Sequence, residues 1–184
     1  MEYNRHWTLF LDRDGVLNTC PVLDYILRKE DFEIIEGVPE AIAQLSRVFG
    51  RIVVATQQQC VGKGLITQAG LDEIHQHLTE QIEGVGGRLD AIFAATKLEP
   101  DDDLLWRKPG PGMAFAAQQR FPEIDFSRAI MVGDTARDMQ FGHRLGMQCI
   151  LVGYKQKALD ACADIPLVGK FASLSDWVCS LISK

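Results

Sequence analysis

The sequence predicts an α/β protein built on a doubly wound, parallel, Rossmann-like sheet with no large cap domain. Three observations predict it. Four short runs rich in β-branched and aliphatic residues lack polar alternation, as strands buried on both faces do. Segments with helical start and stop signals separate them. Charged and turn-forming residues, not further apolar ones, follow most of these runs. Strand then helix, repeated, places helices on both faces of a parallel sheet.

The first strand is "TLFL" (8–11). A helix is expected over 37–50, with Pro39 near its start and Gly50 near its end. The second strand is "RIVVA" (51–55). A helix over 67–87 opens on Thr67 as N-cap and closes in glycines. A weaker strand, "LDAIFAA" (89–95), precedes a loop and a helix over 110–121. "AIMVG" (129–133), a helix over 136–146 and "CILVG" (149–153) complete the pattern. One domain spans 1–184, with a short flap at about 19–35.

Hydrophobic residues make up 47% of the 184-residue chain and charged residues 24%, enough for a real core. The net charge of −6 argues against nucleic acid or an anionic membrane as partner. It leaves room for an anionic small molecule, because a few local cations dominate a pocket. No apolar run approaches the ~20 residues needed to cross a bilayer. The start, "MEYNRHW", has no signal-peptide core. Five scattered cysteines, none in CxxC spacing, read as reduced thiols, so a cytoplasmic location is expected. His75 and His77, two apart on a helix, make a poor metal pair and read as surface residues. The acidic run 99–103 reads as a solvated loop.

Ligands of open α/β sheets bind at the carboxyl ends of the strands. Asp12-Arg13-Asp14-Gly15 follows the first strand and Thr56-Gln57-Gln58 the second. Arg107-Lys108-Pro109 precedes the third helix, and Asp134 to Asp138 follows "AIMVG". Several carboxylates brought together need a cation. Oxygen donors point to Mg²⁺, which is bound by one or two carboxylates, waters and a substrate phosphate. Lysine, hydroxyl and backbone N–H groups supply the remaining phosphate grip. These parts suit phosphoryl transfer to an aspartate, with a second aspartate as acid and then base.

"FLDRDGVLN", Thr56, Lys108 and "GDTARD" resemble, in order, the four motifs of the haloacid dehalogenase-like phosphatases. "VVATQQQCVGKGLIT", "RKPGPGM" and "MVGDTARDMQFG" further resemble a capless branch, which holds heptose-bisphosphate 7-phosphatases and histidinol-phosphate phosphatases. The resemblance covers about residues 7–153. It implies Asp12 as nucleophile and metal ligand, and Asp14 as acid and base, with its backbone carbonyl on the metal. It implies Asp134 as a Mg²⁺ ligand and Asp138 as a residue that orders that shell or the lysine. It gives Thr56, Lys108 and the backbone of Arg13, Asp14 and Gln57 to the reacting phosphate. Arg107 and Lys63 become candidates for a second anionic group. The expected partner is a phosphorylated small molecule, and the chain a monomer or small homo-oligomer.

The sequence departs from the branch in two places. Residues 93–109 hold neither Cys nor His, so the branch's zinc loop lacks the four ligands a structural zinc needs, and no zinc is expected. Motif II reads Thr-Gln-Gln where the branch has Thr-Asn-Gln, and Cys60 replaces a glycine. A sugar phosphate such as D-glycero-D-manno-heptose 1,7-bisphosphate is the leading substrate, with histidinol phosphate as competitor. A phospho-acceptor signalling domain has a similar acid cluster. An acid two residues past the acceptor, here Asp14, favours turnover over a long-lived phospho-aspartate.

Overall fold

The computed structural model describes residues 3–20, 25–98, 105–153 and 155–182. Six parallel strands form one sheet in the order β3-β2-β1-β4-β5-β6. They are β1 (Thr8–Leu11), β2 (Arg51–Gln57), β3 (Ala91–Ala95), β4 (Ala129–Gly133), β5 (Gln148–Val152) and β6 (Leu167–Phe171). The helices are α1 (Val38–Val48), α2 (Gln68–Glu83), α3 (Gly112–Arg120), α4 (Ala136–Arg144), α5 (Gln156–Ala161) and α6 (Leu174–Ile182). The chain winds outward from β1 through β2 to β3, then returns to the other side of β1 as β4. The switch point therefore lies between β1 and β4, where Leu11 stands opposite Val132.

Alternate residues of each strand feed two cores. Leu9, Leu11, Val54, Ile130 and Val132 face α1, α2 and α6, with Trp177 buried among them. Phe10, Val53, Ala55 and Met131 face α3 and α4, against Met113 and Phe141. Both faces of the central strands are thus covered, which is why their sequences are uninterrupted apolar runs.

The structure refines several expectations. The second strand runs two residues further, so Thr56 and Gln57 end β2 and do not follow it. Thr67 caps α2 as expected, accepting from the Gly70 amide at 3.1 Å, but α2 stops at Glu83 and the glycines after it form a turn. The elements β6, α5 and α6 have no counterpart in the sequence reading.

Part of the expected flap is described. Thr19 donates through its backbone to Glu33 O, and Ile35 to Leu17 O, at 2.9 and 3.0 Å, so 25–35 folds back on the loop after β1. Residues 21–24 of that flap and the acidic run 99–103 lie outside the described residues. No helix among the described residues is long and apolar enough to cross a membrane.

Candidate active site

Asp12 follows β1 and Asp134 follows β4, so the switch point sets two carboxylates side by side. The Asp12 amide donates to Val132 O at 3.0 Å, which fixes the loop after β1 against β4. Gly15 turns that loop with a φ of +84°. A Cβ at Gly15 would run into the Asp134 carboxylate, so glycine alone permits this approach. Asp138 joins the pair from the first turn of α4. Its Oδ2 accepts from the Thr135 amide at 3.0 Å and from the Thr135 hydroxyl at 2.5 Å. Carboxylate oxygens of Asp12, Asp134 and Asp138 lie within 4.8 Å of one another, and all three residues are buried. Among the described residues no other His, Cys, Asp or Glu trio converges in this way.

Two ammonium groups neutralise this cluster. Lys108 Nζ sits 2.8 Å from Asp12 Oδ1 and 2.5 Å from Asp138 Oδ1, and donates to Ala55 O at 2.8 Å. It is 3% exposed, so all its hydrogen-bonding capacity is directed inward. Burial opposes its charge, yet the Asp12 and Asp138 carboxylates outweigh burial and raise its pKa above the usual lysine value. Lys155, just beyond β5, pairs with Asp134 Oδ2. Burial pushes the Asp12 carboxyl up to about 7, with Lys108 pulling the other way. Burial likewise raises Asp134, opposed by Lys155. Buried carboxyls that resist ionisation and draw two lysines form a site that wants positive charge. Its donors are all hard oxygens, so the set fits Mg²⁺.

Asp14 lies on the same cleft but turns to different partners. Its Oδ1 accepts from Arg13 Nη2 at 2.8 Å and from Asn18 Nδ2 at 3.0 Å. Its Oδ2 accepts from Gln58 Nε2 at 2.7 Å, and that amide nitrogen also reaches Thr56 Oγ1 at 2.9 Å. Thr56 is 1% exposed and ends the strand beside the acids. Gln57 lines the cleft and holds the Lys108 loop, donating from Nε2 to Lys108 O at 2.9 Å.

The cleft measures about 460 Å³ and is lined by Asp12, Asp14, Gln57, Lys108, Asp134 and Asp138. Arg137, Lys155 and Lys157 line it as well. Lys63 and Arg107 are not among its lining residues. Lys63 Nζ instead donates to the Tyr25 hydroxyl at 2.9 Å. The sequence reading missed Lys155, Gln58 and the Arg13 side chain. A signal for Lys155 was present, since it obeys the same strand-end rule as Asp12 and Asp134.

The doubly wound sheet, the acid cluster at its switch point and the buried lysine define a phosphoryl-handling hydrolase, and the comparisons agree. Residues 105–168 match the family model described as HAD-hydrolase-like. The D-glycero-alpha-D-manno-heptose-1,7-bisphosphate 7-phosphatase of Mycobacterium bovis is 33% identical over 163 residues, covering 89% of this chain and 80% of that one. The D-glycero-D-manno-heptose-1,7-bisphosphate 7-phosphatase of Thermosynechococcus vestitus is 31% identical, covering 94% of this chain and 95% of its own. The crystal structure of D,D-heptose 1,7-bisphosphate phosphatase from B. bronchiseptica, complexed with magnesium and phosphate, superposes with a TM-score of 0.82. It is 29% identical and covers 96% of this chain and 98% of that one. The chain belongs to the HAD-like hydrolase family. It is a phosphatase of that family, as its named relatives are.

Proposed function

We propose that the chain is a Mg²⁺-dependent phosphomonoester hydrolase working through an aspartyl-phosphate on Asp12, with D-glycero-D-manno-heptose 1,7-bisphosphate as its substrate. The observation that carries the mechanism is the convergence of Asp12, Asp134, Asp138 and the Lys108 ammonium at the switch point, with Asp14 on the same cleft.

A carboxylate oxygen of Asp12 attacks phosphorus. The bond to the leaving oxygen breaks as Asp14 gives that oxygen a proton. Asp14, now ionised, takes a proton from water, and the resulting hydroxide attacks the phosphate on Asp12. Inorganic phosphate leaves and Asp12 is regenerated. Lys108, the Thr56 hydroxyl and the amides of Arg13, Asp14 and Gln57 hold phosphate oxygens. Asp138 keeps Lys108 aimed at Asp12. Asp12, Asp134 and the Asp14 carbonyl would hold Mg²⁺, with Asp138 completing the anionic shell. When bound, the metal supplies positive charge between the phosphate and the carboxylates.

The activity for which the relatives are named supports a heptose bisphosphate. So does the cleft, because Arg137, Lys155 and Lys157 on its lining favour an anionic second group. The amine of histidinol phosphate would face like charge there. Arg107 and Lys63 remain candidates for the second phosphate.

Phosphate release from the heptose bisphosphate, histidinol phosphate and a panel of sugar phosphates, in Mg²⁺ and in EDTA, tests this. The expected result is loss of activity in EDTA and the highest kcat/KM on the bisphosphate. Full activity in EDTA would remove the metal, and a preference for histidinol phosphate would remove the substrate.

A further inference from the structure

Arg13 is 1% exposed, which is unusual for a guanidinium and requires every N–H to find a partner. Its Nε and Nη2 both donate to Asp14 Oδ1, at 3.1 and 2.8 Å. Its Nη1 reaches Nε2 of His75, on α2, at 3.1 Å. Phe32, from the described part of the flap, lies under the guanidinium, with its ring centroid 5.6 Å from Arg13 Cζ. The guanidinium is therefore packed below by a ring and anchored at one end by an imidazole. Its other end grips a carboxylate that lines the catalytic cleft.

Arginine has no acceptor and stays protonated, so Nε2 of His75 must accept this hydrogen bond. The His75 proton then resides on Nδ1 and the ring is neutral. The charged groups facing the ring are consistent with that. Burial, and after it Arg13, lower its pKa to about 4 against weaker opposing effects of Asp72 and Asp14.

We propose that His75 is a positioning residue, which acts through the Arg13 guanidinium to hold the Asp14 carboxylate in the orientation its proton transfers need. The proposal rests on the role given to Asp14 above. Asp14 has two further donors, Asn18 and Gln58, but each makes a single contact. Arg13 alone grips it through two nitrogens, both on Oδ1, so the place of that oxygen follows the guanidinium fork. The orientation of the fork about its long axis is set by what Nη1 meets, and that is His75. Without an acceptor there, Nη1 is left buried and unpaired, and the guanidinium turns to find one. Asp14 then loses a defined orientation while Asp12, Lys108 and the metal ligands keep theirs.

The test uses the full chain with Mg²⁺ and p-nitrophenyl phosphate, a phosphomonoester that needs no second recognition group. Three variants separate the explanations. His75→Ala removes the acceptor and the ring. His75→Phe restores the volume without the acceptor. His75→Gln restores an acceptor near Nε2. The expected result is a fall of about tenfold in kcat for Ala and for Phe, with KM within about twofold of wild type, since misplaced groups cost rate more than binding. Gln should recover kcat to within about threefold, and NMR of the imidazole nitrogens should show His75 neutral with its proton on Nδ1. An unimpaired Ala or Phe variant, a kcat loss that only follows lost thermal stability, or a His75 proton on Nε2 would overturn the proposal. A wild type with no Mg²⁺-dependent hydrolysis would instead overturn the functional reading and this role with it.

Discussion

Asparagine at position 12 is expected to leave no measurable turnover, a loss of at least about 10⁴-fold of the kind seen when a covalent nucleophile is removed. The side chain keeps its shape, and its oxygen can still accept from Lys108. An amide, however, does not attack phosphorus. The same variant should behave differently in a thermal melt. Burial raises the Asp12 carboxyl to about 7 in the folded protein, against an ordinary 3.8. The folded state therefore prefers the protonated form. The stability this lends is fully present below pH 3.8 and is lost as pH rises through about 7. Asparagine stays neutral throughout. In EDTA, then, the Tm of Asp12→Asn relative to wild type should climb between pH 5 and pH 8. Phosphate release in Mg²⁺ and paired melts in EDTA at the two pH values check both halves. Residual activity above a few per cent would rule out covalent catalysis at this residue. A Tm difference that shrinks with pH would mean that Lys108 dominates the ionisation of Asp12, and burial does not.

The central strands were legible because burial on both faces leaves only apolar residues in them. β6 was not, for the opposite reason. Leu167–Phe171 is an edge strand with alternating exposure, and its "LVGKF" carries a glycine and a lysine. α5 is only Gln156–Ala161, too short to establish a helical period. At the site, the convergence of Asp12, Asp14 and Asp134 was legible from one rule, that chemistry gathers at strand ends, and that of Lys108 and Asp138 from motif order. Lys155 obeys that rule, but a single lysine forms no pattern. His75 illustrates a different limit. Its spacing from His77 argues against a shared metal but says nothing of tertiary partners, and the reading of His75 as a surface residue fails. Both are half-buried, His75 at the Nη1 end of Arg13 and His77 edge-on to Phe32, with 6.3 Å between ring centroids. The partner of His75 lies 62 residues away in sequence, and only the fold of the loop after β1 onto α2 brings the two together.

Methionine at position 108 should be the second most damaging change, and it should damage activity and stability by separable routes. Methionine matches the four-atom stem of lysine but lacks the terminal ammonium. On the activity side, the proposed phosphate site loses the buried Lys108 ammonium. Removal of a preorganised electrostatic donor costs on the order of 10²–10³-fold in kcat, and more is expected where the donor is charged. On the stability side, Asp12 and Asp138 lose the ammonium between them while remaining at 8% and 1% exposure. Breaking a buried pair by removing one partner costs about 3–5 kcal/mol, because the other charge stays behind. Here the carboxylates can escape by protonating, so the loss should be smaller at pH 5 and larger at pH 8. The pairing partners also raise Lys108 above its ordinary 10.5, so in wild type its stabilisation is present below that value and fades only at higher pH. Adding Asp138→Asn to Lys108→Met removes one stranded charge. The double variant should therefore regain much of the lost Tm at pH 8 and none of the lost kcat, because asparagine cannot hold a phosphate in place of an ammonium. Melts and phosphate release on wild type, both single variants and the double variant form the cycle that measures this. Equal melting temperatures for Lys108→Met and the double variant would show that the stranded charge is not what destabilises the fold. A kcat for Lys108→Met within tenfold of wild type would show that the buried ammonium serves the carboxylates and not the phosphate.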